Sequence, residues 1–325
     1  MGLGMNSIDF DSGHLFDSIT PQARNEVSAE QLREQIRSRQ NPDEMYEYIR
    51  TIPILFDQFH EALQFANNLL ERTKRTKRPG GVWFIGDGGA GKSFLLEQIL
   101  KRNQPEETTF SRTCPILYLT FSSRPTESDI MLTLLYQLGQ DLNLIRNRNN
   151  AELEKILISA LAAAKTIAIL CDEAHHLWLN TLAPRVADRI GGRCGDLLKN
   201  IYDKSGVAFI FAGTPGLHKI LEIDSQASTR WKGVFDLKIF HNGPEFQDIL
   251  AAIDEAIPMH EPSRLDEYSD QIHLITKGNF RDLKDFIAEA VYLAAKKKAS
   301  NISGYLYQAC KNTFGDQHNP FDQAA

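Results

Sequence analysis

A chain of 325 residues, 42% hydrophobic and 24% charged, has material for a full α/β core and a second, smaller domain. Its net charge of −6 excludes a globally basic nucleic-acid binder, so any contact with DNA must come from local patches or from repetition in an assembly. Cys114, Cys171, Cys194 and Cys310 lie far apart without metal-ligand spacing, no apolar run approaches the ~18–20 residues of a membrane span, and the polar N-terminus does not read as a signal peptide. The expectation is a soluble, cytoplasmic protein with no membrane partner.

Residues 1–45 read as a polar N-terminal extension, with a helical stretch expected from Pro21 to Arg39. Tyr46 to Leu70 carries apolar residues at helical spacing and leads into the core. The basic run Arg72 to Arg78, closed by Pro79-Gly80-Gly81, reads as a solvated linker in preference to a nucleic-acid contact. Val82-Trp83-Phe84-Ile85 is a buried strand, and a helix begins at Lys92. Between them Gly86-Asp87-Gly88-Gly89-Ala90-Gly91-Lys92-Ser93, followed by Phe94, matches the phosphate-cradling Gly-x-x-x-x-Gly-Lys-Ser loop. Glycines let the backbone aim successive N–H groups at a polyphosphate, and the helix N-terminus adds its dipole. Lys92 would reach the β- and γ-phosphates, and the Ser93 hydroxyl would hold Mg2+.

Further strands are expected at residues 115–121, 166–171, 207–212 and 233–240, with helices at 126–138, 151–164 and 183–199 between them. This alternation predicts a parallel sheet covered on both faces. The domains follow as an N-terminal extension (1–45), an α/β nucleotide-binding domain (46–242), a helical domain (243–311) and a polar tail (312–325).

The third strand delivers Asp172 and Glu173 to its carboxyl end, where open α/β sheets bind ligands. Asp172 would complete a magnesium site, and Glu173 would face the γ-phosphate, where it can polarise an attacking water. The chain order suggests that this strand and the phosphate-loop strand are neighbours in the sheet. Thr214 ends the fourth strand, where it could hold the water or be a plain turn residue. Arg230 falls just before the fifth strand, where a subunit edge could present it to a neighbour's nucleotide. Arg281 opens a helix of the C-terminal domain, either to close over the phosphates or to pair with Asp282 or Asp285.

In this order, the phosphate loop, Asp172-Glu173, Gly213-Thr214, Arg230 and Gly278-Asn279-Phe280-Arg281 resemble an AAA+ ATPase. They correspond to its Walker A, Walker B, sensor 1, arginine finger and sensor 2. More narrowly, Arg50-Thr51-Ile52-Pro53, Asp172-Glu173-Ala174-His175-His176-Leu177, Phe211-Ala212-Gly213-Thr214 and Gly278 to Leu283 are similar to the TniB/TnsC transposition regulators, over about residues 45–300. The chain length suits the compact TnsC of CRISPR-associated transposons. The resemblance implies a five-stranded parallel AAA+ sheet with an all-α lid, ATP and Mg2+ as cofactors, and hydrolysis stimulated by oligomerisation. It implies rings or filaments on double-stranded DNA, bound without sequence preference, that link a TniQ-like target selector to the transposase. Arg124, Arg146 and Arg148 fall where the family's DNA contacts lie, after the second strand.

Other readings compete. A replication loader or initiator would share the core, and a monomeric P-loop phosphotransferase would need an acceptor pocket and no glutamate placed for water. Asp172-Glu173-Ala174-His175 spells a helicase motif, but about 85 residues of helix after the fifth strand cannot supply a second nucleotide-facing domain. His175 and His176 read as a helix start and not as metal ligands, because no partner ligand stands at i+4 spacing.

Overall fold

The computed structural model describes residues 29–52, 56–107, 112–177, 192–315 and 319–321. The chain divides into two compact units, Asp57–Lys238 and the remainder on either side of it. The first is a three-layer α/β unit. Its strands are β1 (Gly81–Gly86), a short antiparallel ribbon of β2 (Glu106–Glu107) and β3 (Arg112–Thr113), then β4 (Ile116–Thr120), β5 (Ala168–Asp172), β6 (Ala208–Gly213) and β7 (Gly233–Leu237). The main sheet runs β4-β5-β6-β1-β7, with every adjacent pair parallel.

The continuous apolar runs of β1, β5 and β6 are buried along their whole length, as strands covered by helices on both faces must be. Trp83, Ile85, Leu117, Leu119, Ile169, Cys171, Phe209 and Phe211 join one core with residues of the helices Glu127–Gln137, Asn150–Ala163 and Gly192–Ser205. The opposite face packs on the helices Asp57–Thr76 and Lys92–Lys101, whose Phe59 and Phe94 lie 5.5 Å apart between ring centroids. Trp83 stacks on its register partner Phe211 at 4.0 Å and donates its indole N–H to the Trp231 carbonyl at 3.0 Å. That bond ties the middle of β1 to the residue that leads into the edge strand β7.

The order of strands corrects one expectation. β1 and β5 are not neighbours: β6 lies between them and pairs with both. Chain order carries no direct information on sheet order, because each crossover helix can return the chain past a strand already laid down. The helix expected over Tyr46–Leu70 is also interrupted. It forms as Pro42–Thr51 and Asp57–Thr76, and Ile52, the residue before Pro53, is extended (ψ 135°) as a proline requires of its predecessor. The basic run is not all linker, since Arg72–Thr76 forms the last turn of the second of these helices. The helix expected at 183–199 is seen as Gly192–Ser205, its earlier residues lying outside those described.

The second unit is helical in every described element. Within it the helix Phe280–Lys296 packs along Pro42–Thr51. Its buried Lys284 donates to the carbonyls of Arg50 and Ile52, both at 2.7 Å, and so closes the C-terminal end of the shorter helix. No described helix is long and apolar enough to cross a membrane.

Candidate active site

The glycine-rich loop turns from β1 into the helix Lys92–Lys101 through Gly89 (φ 81°) and Gly91 (φ 87°), conformations that side chains with a Cβ rarely adopt. Gly91 is the helix N-cap, and no side chain caps the first turn. Its N–H donors and dipole are therefore available to an anion. Lys92 Nζ donates to the carbonyls of Gly86 and Asp87, both at 2.7 Å, which folds the ammonium back across the loop's own mouth. Asp87, Gly88 and Ala90 complete the loop, Ser93 and Phe94 follow in the first helical turn, and Ala90 N donates to the Asp87 carbonyl at 3.2 Å.

β5 ends in Asp172, which is 4% exposed. Its Oδ2 accepts from the Tyr118 hydroxyl at 2.8 Å, and its Oδ1 from the Glu173 backbone N–H at 2.8 Å. Among the described residues no lysine or arginine forms an ion pair with it. A carboxylate held by two neutral donors keeps lone pairs for a cation, and with the Ser93 hydroxyl it makes the hard-oxygen donor set that Mg2+ takes. These residues fit that ion. Burial, and then the Asp172 charge, push the Tyr118 phenol well above its ordinary range, so Tyr118 stays a donor.

Glu173 lies in the left-handed region (φ 53°), and a single 3-10 turn, Ala174–Leu177, follows it. The turn seats His175 Nδ1 3.2 Å from Glu173 Oε2 and sets the two imidazoles 4.3 Å apart, tilted by 37°. Burial pulls the His175 pKa down against the opposing charge of Glu173, and the Lys92 charge acts in the same direction as burial. Between these motifs β6 ends at Gly213-Thr214. A Cβ on Gly213 would lie 2.4 Å from Leu217 Cδ1 and 3.2 Å from the His175 backbone nitrogen, so a larger residue would have to displace the Leu217 side chain and press on the 3-10 turn. Thr214 thus stands at the end of the central strand, with the Lys92 loop after one neighbour and Glu173 after the other.

Arg230 is at the opposite end of the same sheet. β7 runs parallel to β1 with Gly233 beside Val82 and Leu237 beside Gly86. Arg230 precedes β7 whereas the phosphate loop follows β1. Four residue steps of strand, about 13 Å at ~3.3 Å each, separate the two levels. Arg230 is the last residue of the helix Ser225–Arg230 and donates twice to Asp203, from Nε at 3.1 Å and from Nη2 at 2.7 Å. The helix Gly192–Ser205 supports that segment at three points spaced by its own period. Lys199 forms a buried ion pair with Asp224 at 3.1 Å, and Asp224 in turn caps the Arg230 helix. Tyr202 donates to the Arg230 carbonyl at 3.3 Å, and Asp203 holds the guanidinium. Lys199, Tyr202 and Asp203 were not singled out in the sequence, although their i, i+3, i+4 spacing is a signal. Arg72, Arg78, Arg230 and Lys232 line a cleft of about 740 Å3 at this end of the sheet.

Arg124 is exposed in the loop after β4, and Arg146 and Arg148 are exposed beyond the short helix Leu142–Ile145. A hydrogen bond from Asn150 to Glu127 (3.2 Å) joins the two segments that carry them. Arg148 extends toward Glu152, 3.9 Å away. Arg281, in the helical unit, begins the helix Phe280–Lys296, which Asn279 caps through the Arg281 and Asp282 backbone N–H groups. Asp285, one of the two acids considered as its partner, is paired with Arg50 at 3.2 Å instead.

His175 and His176 stand in the helical turn expected there, and a carboxylate lies close to both. One ring nitrogen of each and a Glu173 carboxylate oxygen all lie within 4.8 Å of one another. A search for i+4 spacing passes over this cluster, because a 3-10 turn brings i and i+3 side chains into line.

Residues 46–239 match the family model described as Bacterial TniB protein. No curated protein matches the chain significantly. Among solved structures, the ORC2 protein of Aeropyrum pernix in ADPNP–ADP complexes aligns with a TM-score of 0.58 at 15% identity, covering 80% of this chain and 68% of that one. The ORC1 protein of the same organism, in complex with DNA, aligns at 0.55 and 18% identity over 85% and 69%. Cdc6p from Pyrobaculum aerophilum aligns at 0.56 and 16% identity over 81% and 69%. These likenesses establish the fold, an AAA+ α/β sheet followed by a helical region.

Proposed function

The chain belongs to the TniB family of AAA+ ATPases, and from that premise we propose that it is an ATP-hydrolysing regulator of transposition that assembles head to tail on double-stranded DNA. It bridges a TniQ-like target selector and the transposase. The observation that carries the reading is the placement of Arg230 at the far end of the sheet from its own phosphate loop, on a preorganised helix. An arginine so placed cannot serve its own nucleotide along a strand of that length, but it suits the site of a neighbour related by a head-to-tail contact.

In the assembled state the loop from Gly86 to Gly91 and the first turn through Phe94 cradle the phosphates. Lys92 exchanges two backbone carbonyls for phosphate oxygens. The Ser93 hydroxyl and Asp172 would hold Mg2+, which would supply charge neutralisation to the phosphates. Glu173 accepts the proton of the attacking water, and Thr214, on the strand between them, orients that water. The neighbour's Arg230 leaves Asp203 and compensates the charge that develops on the transferred phosphoryl group. Arg281 closes the helical unit over the nucleotide. Arg124, Arg146 and Arg148, repeated from copy to copy, track the DNA phosphates, which reconciles DNA binding with a net negative protomer. A protein of similar fold, ORC1 of Aeropyrum pernix, has been solved in complex with DNA.

Electron microscopy of the purified protein with a DNA duplex and a non-hydrolysable ATP analogue tests the proposal. Rings or filaments around the duplex are expected, and particles of single-chain size with no density for DNA would overturn it.

A further inference from the structure

We propose that Glu173, His175 and His176 form a site for one borderline transition-metal dication, of the zinc or nickel class, and that an ion there withdraws Glu173 from the water it activates. Two imidazoles and one carboxylate, with a fourth position left to water, are a donor set that zinc takes in proteins. The geometry on the page suits it. All three donor atoms lie within 4.8 Å of one another. His175 Nδ1 and Glu173 Oε2 are 3.2 Å apart, yet the buried Nδ1 makes no hydrogen bond. An ion about 2.05 Å from each would see that pair at about 103°, near the tetrahedral angle.

The backbone holds the cluster in place. The His176 amide donates to the Glu173 carbonyl at 2.9 Å, which closes the turn and brings the side chains of residues 173 and 176 to the same side. The turn lies close over the end of β6, where a Cβ on Gly213 would stand 3.2 Å from the His175 backbone nitrogen. The site is distinct from that of Asp172 and Ser93, whose all-oxygen donors suit magnesium; imidazole nitrogens favour the transition ion. Magnesium therefore does not compete strongly for the histidine cluster, and a transition ion can occupy it while the nucleotide is bound. The effect on turnover rests on the role given to Glu173 above. The binding of the ion does not.

The test uses the full chain, stripped of metal and free of nucleotide, with Co2+ as the probe because its visible d–d absorption reports low coordination number. The expected result is an absorption that saturates at one ion per chain and is bleached by Zn2+. It is lost in His175→Ala/His176→Ala and kept in His218→Ala, whose histidine pairs with Asp236 elsewhere. Should the double variant misfold, His175→Gln alone weakens binding more than about tenfold. Buffered Zn2+ in excess Mg2+ then suppresses wild-type turnover without releasing bound nucleotide, and at least tenfold more Zn2+ is needed to inhibit the histidine variant. Absent absorption, or absorption that survives the double variant, overturns the site. Binding of the ion with unchanged turnover overturns the withdrawal of Glu173. Protein free of transition ions that hydrolyses no ATP with Mg2+ and duplex DNA present overturns the function proposed above and leaves the cobalt result standing.

Discussion

Replacing Arg230 with alanine separates a structural arginine from one that acts in trans. In the free chain Arg230 makes two hydrogen bonds to Asp203, with side-chain exposures of 28% and 48%. An ion pair so open to solvent contributes only about 0.2–1 kcal/mol. For a unit of this size that lowers the melting temperature by no more than about 4 °C. An arginine finger is worth about 10³–10⁵ in turnover, or about 4–7 kcal/mol of barrier. Arg230→Ala should therefore melt within a few degrees of wild type, bind ATP with unchanged affinity and hydrolyse it at least about a thousandfold more slowly. Mixing gives the sharper reading. Glu173→Gln subunits cannot activate water but still carry Arg230. In a random equal mixture of the two variants, about one head-to-tail interface in four pairs an intact Glu173 with an intact Arg230. The mixture should recover about a quarter of wild-type turnover per interface, although each variant alone is inactive. A mixture as inactive as its components, or wild-type turnover in Arg230→Ala alone, would refute the trans assignment.

Lys92→Ala should lose nucleotide binding, measured with a fluorescent ATP analogue, while its circular dichroism stays that of the wild type; retained affinity would remove the lysine from the phosphate site. Glu173→Gln should bind ATP normally, turn over about 10²–10⁴-fold more slowly and accumulate on DNA in a sedimentation assay. Asp224→Ala leaves the buried Lys199 ammonium only the more distant Asp196, at 3.9 Å, and uncaps the Arg230 helix. Denaturant titration should show a loss of about 3–5 kcal/mol, and a loss under 1 kcal/mol would mean that the pair does not hold that segment. Arg146→Glu with Arg148→Glu should weaken binding to unrelated duplexes equally and flatten its dependence on log salt by about one unit or more. A change confined to one sequence would contradict a phosphate contact.

What the chain order made legible depended on how local each signal is. The phosphate loop is local: its glycines, Lys92 and Ser93 act through backbone geometry within eight residues, and the structure has the loop and helix start where the motif puts them. The five strands were readable because a parallel strand buried on both faces is an unbroken apolar run. Their lateral order was not, because it is decided by crossovers between distant segments, and β6 entered between β1 and β5. Its insertion puts Thr214 between the Lys92 loop and Glu173, a position that no single motif reports. Arg230 was readable as a residue before a strand. The Asp203, Tyr202 and Lys199 contacts that hold its segment come from a helix about 25–30 residues earlier, and Lys199 gives no sign in sequence that it is buried. The His175–His176 pair was visible but judged against α-helical spacing, and the 3-10 turn and the left-handed Glu173 bring the three side chains together by another route.

The claim that hydrolysis waits for assembly is tested most directly by turnover per chain as a function of protein concentration, with and without duplex DNA, alongside sedimentation of the same samples. Turnover per chain should rise steeply as oligomers form and reach its plateau at lower concentration on DNA. Constant turnover from a chain that sediments as a monomer throughout would contradict the account.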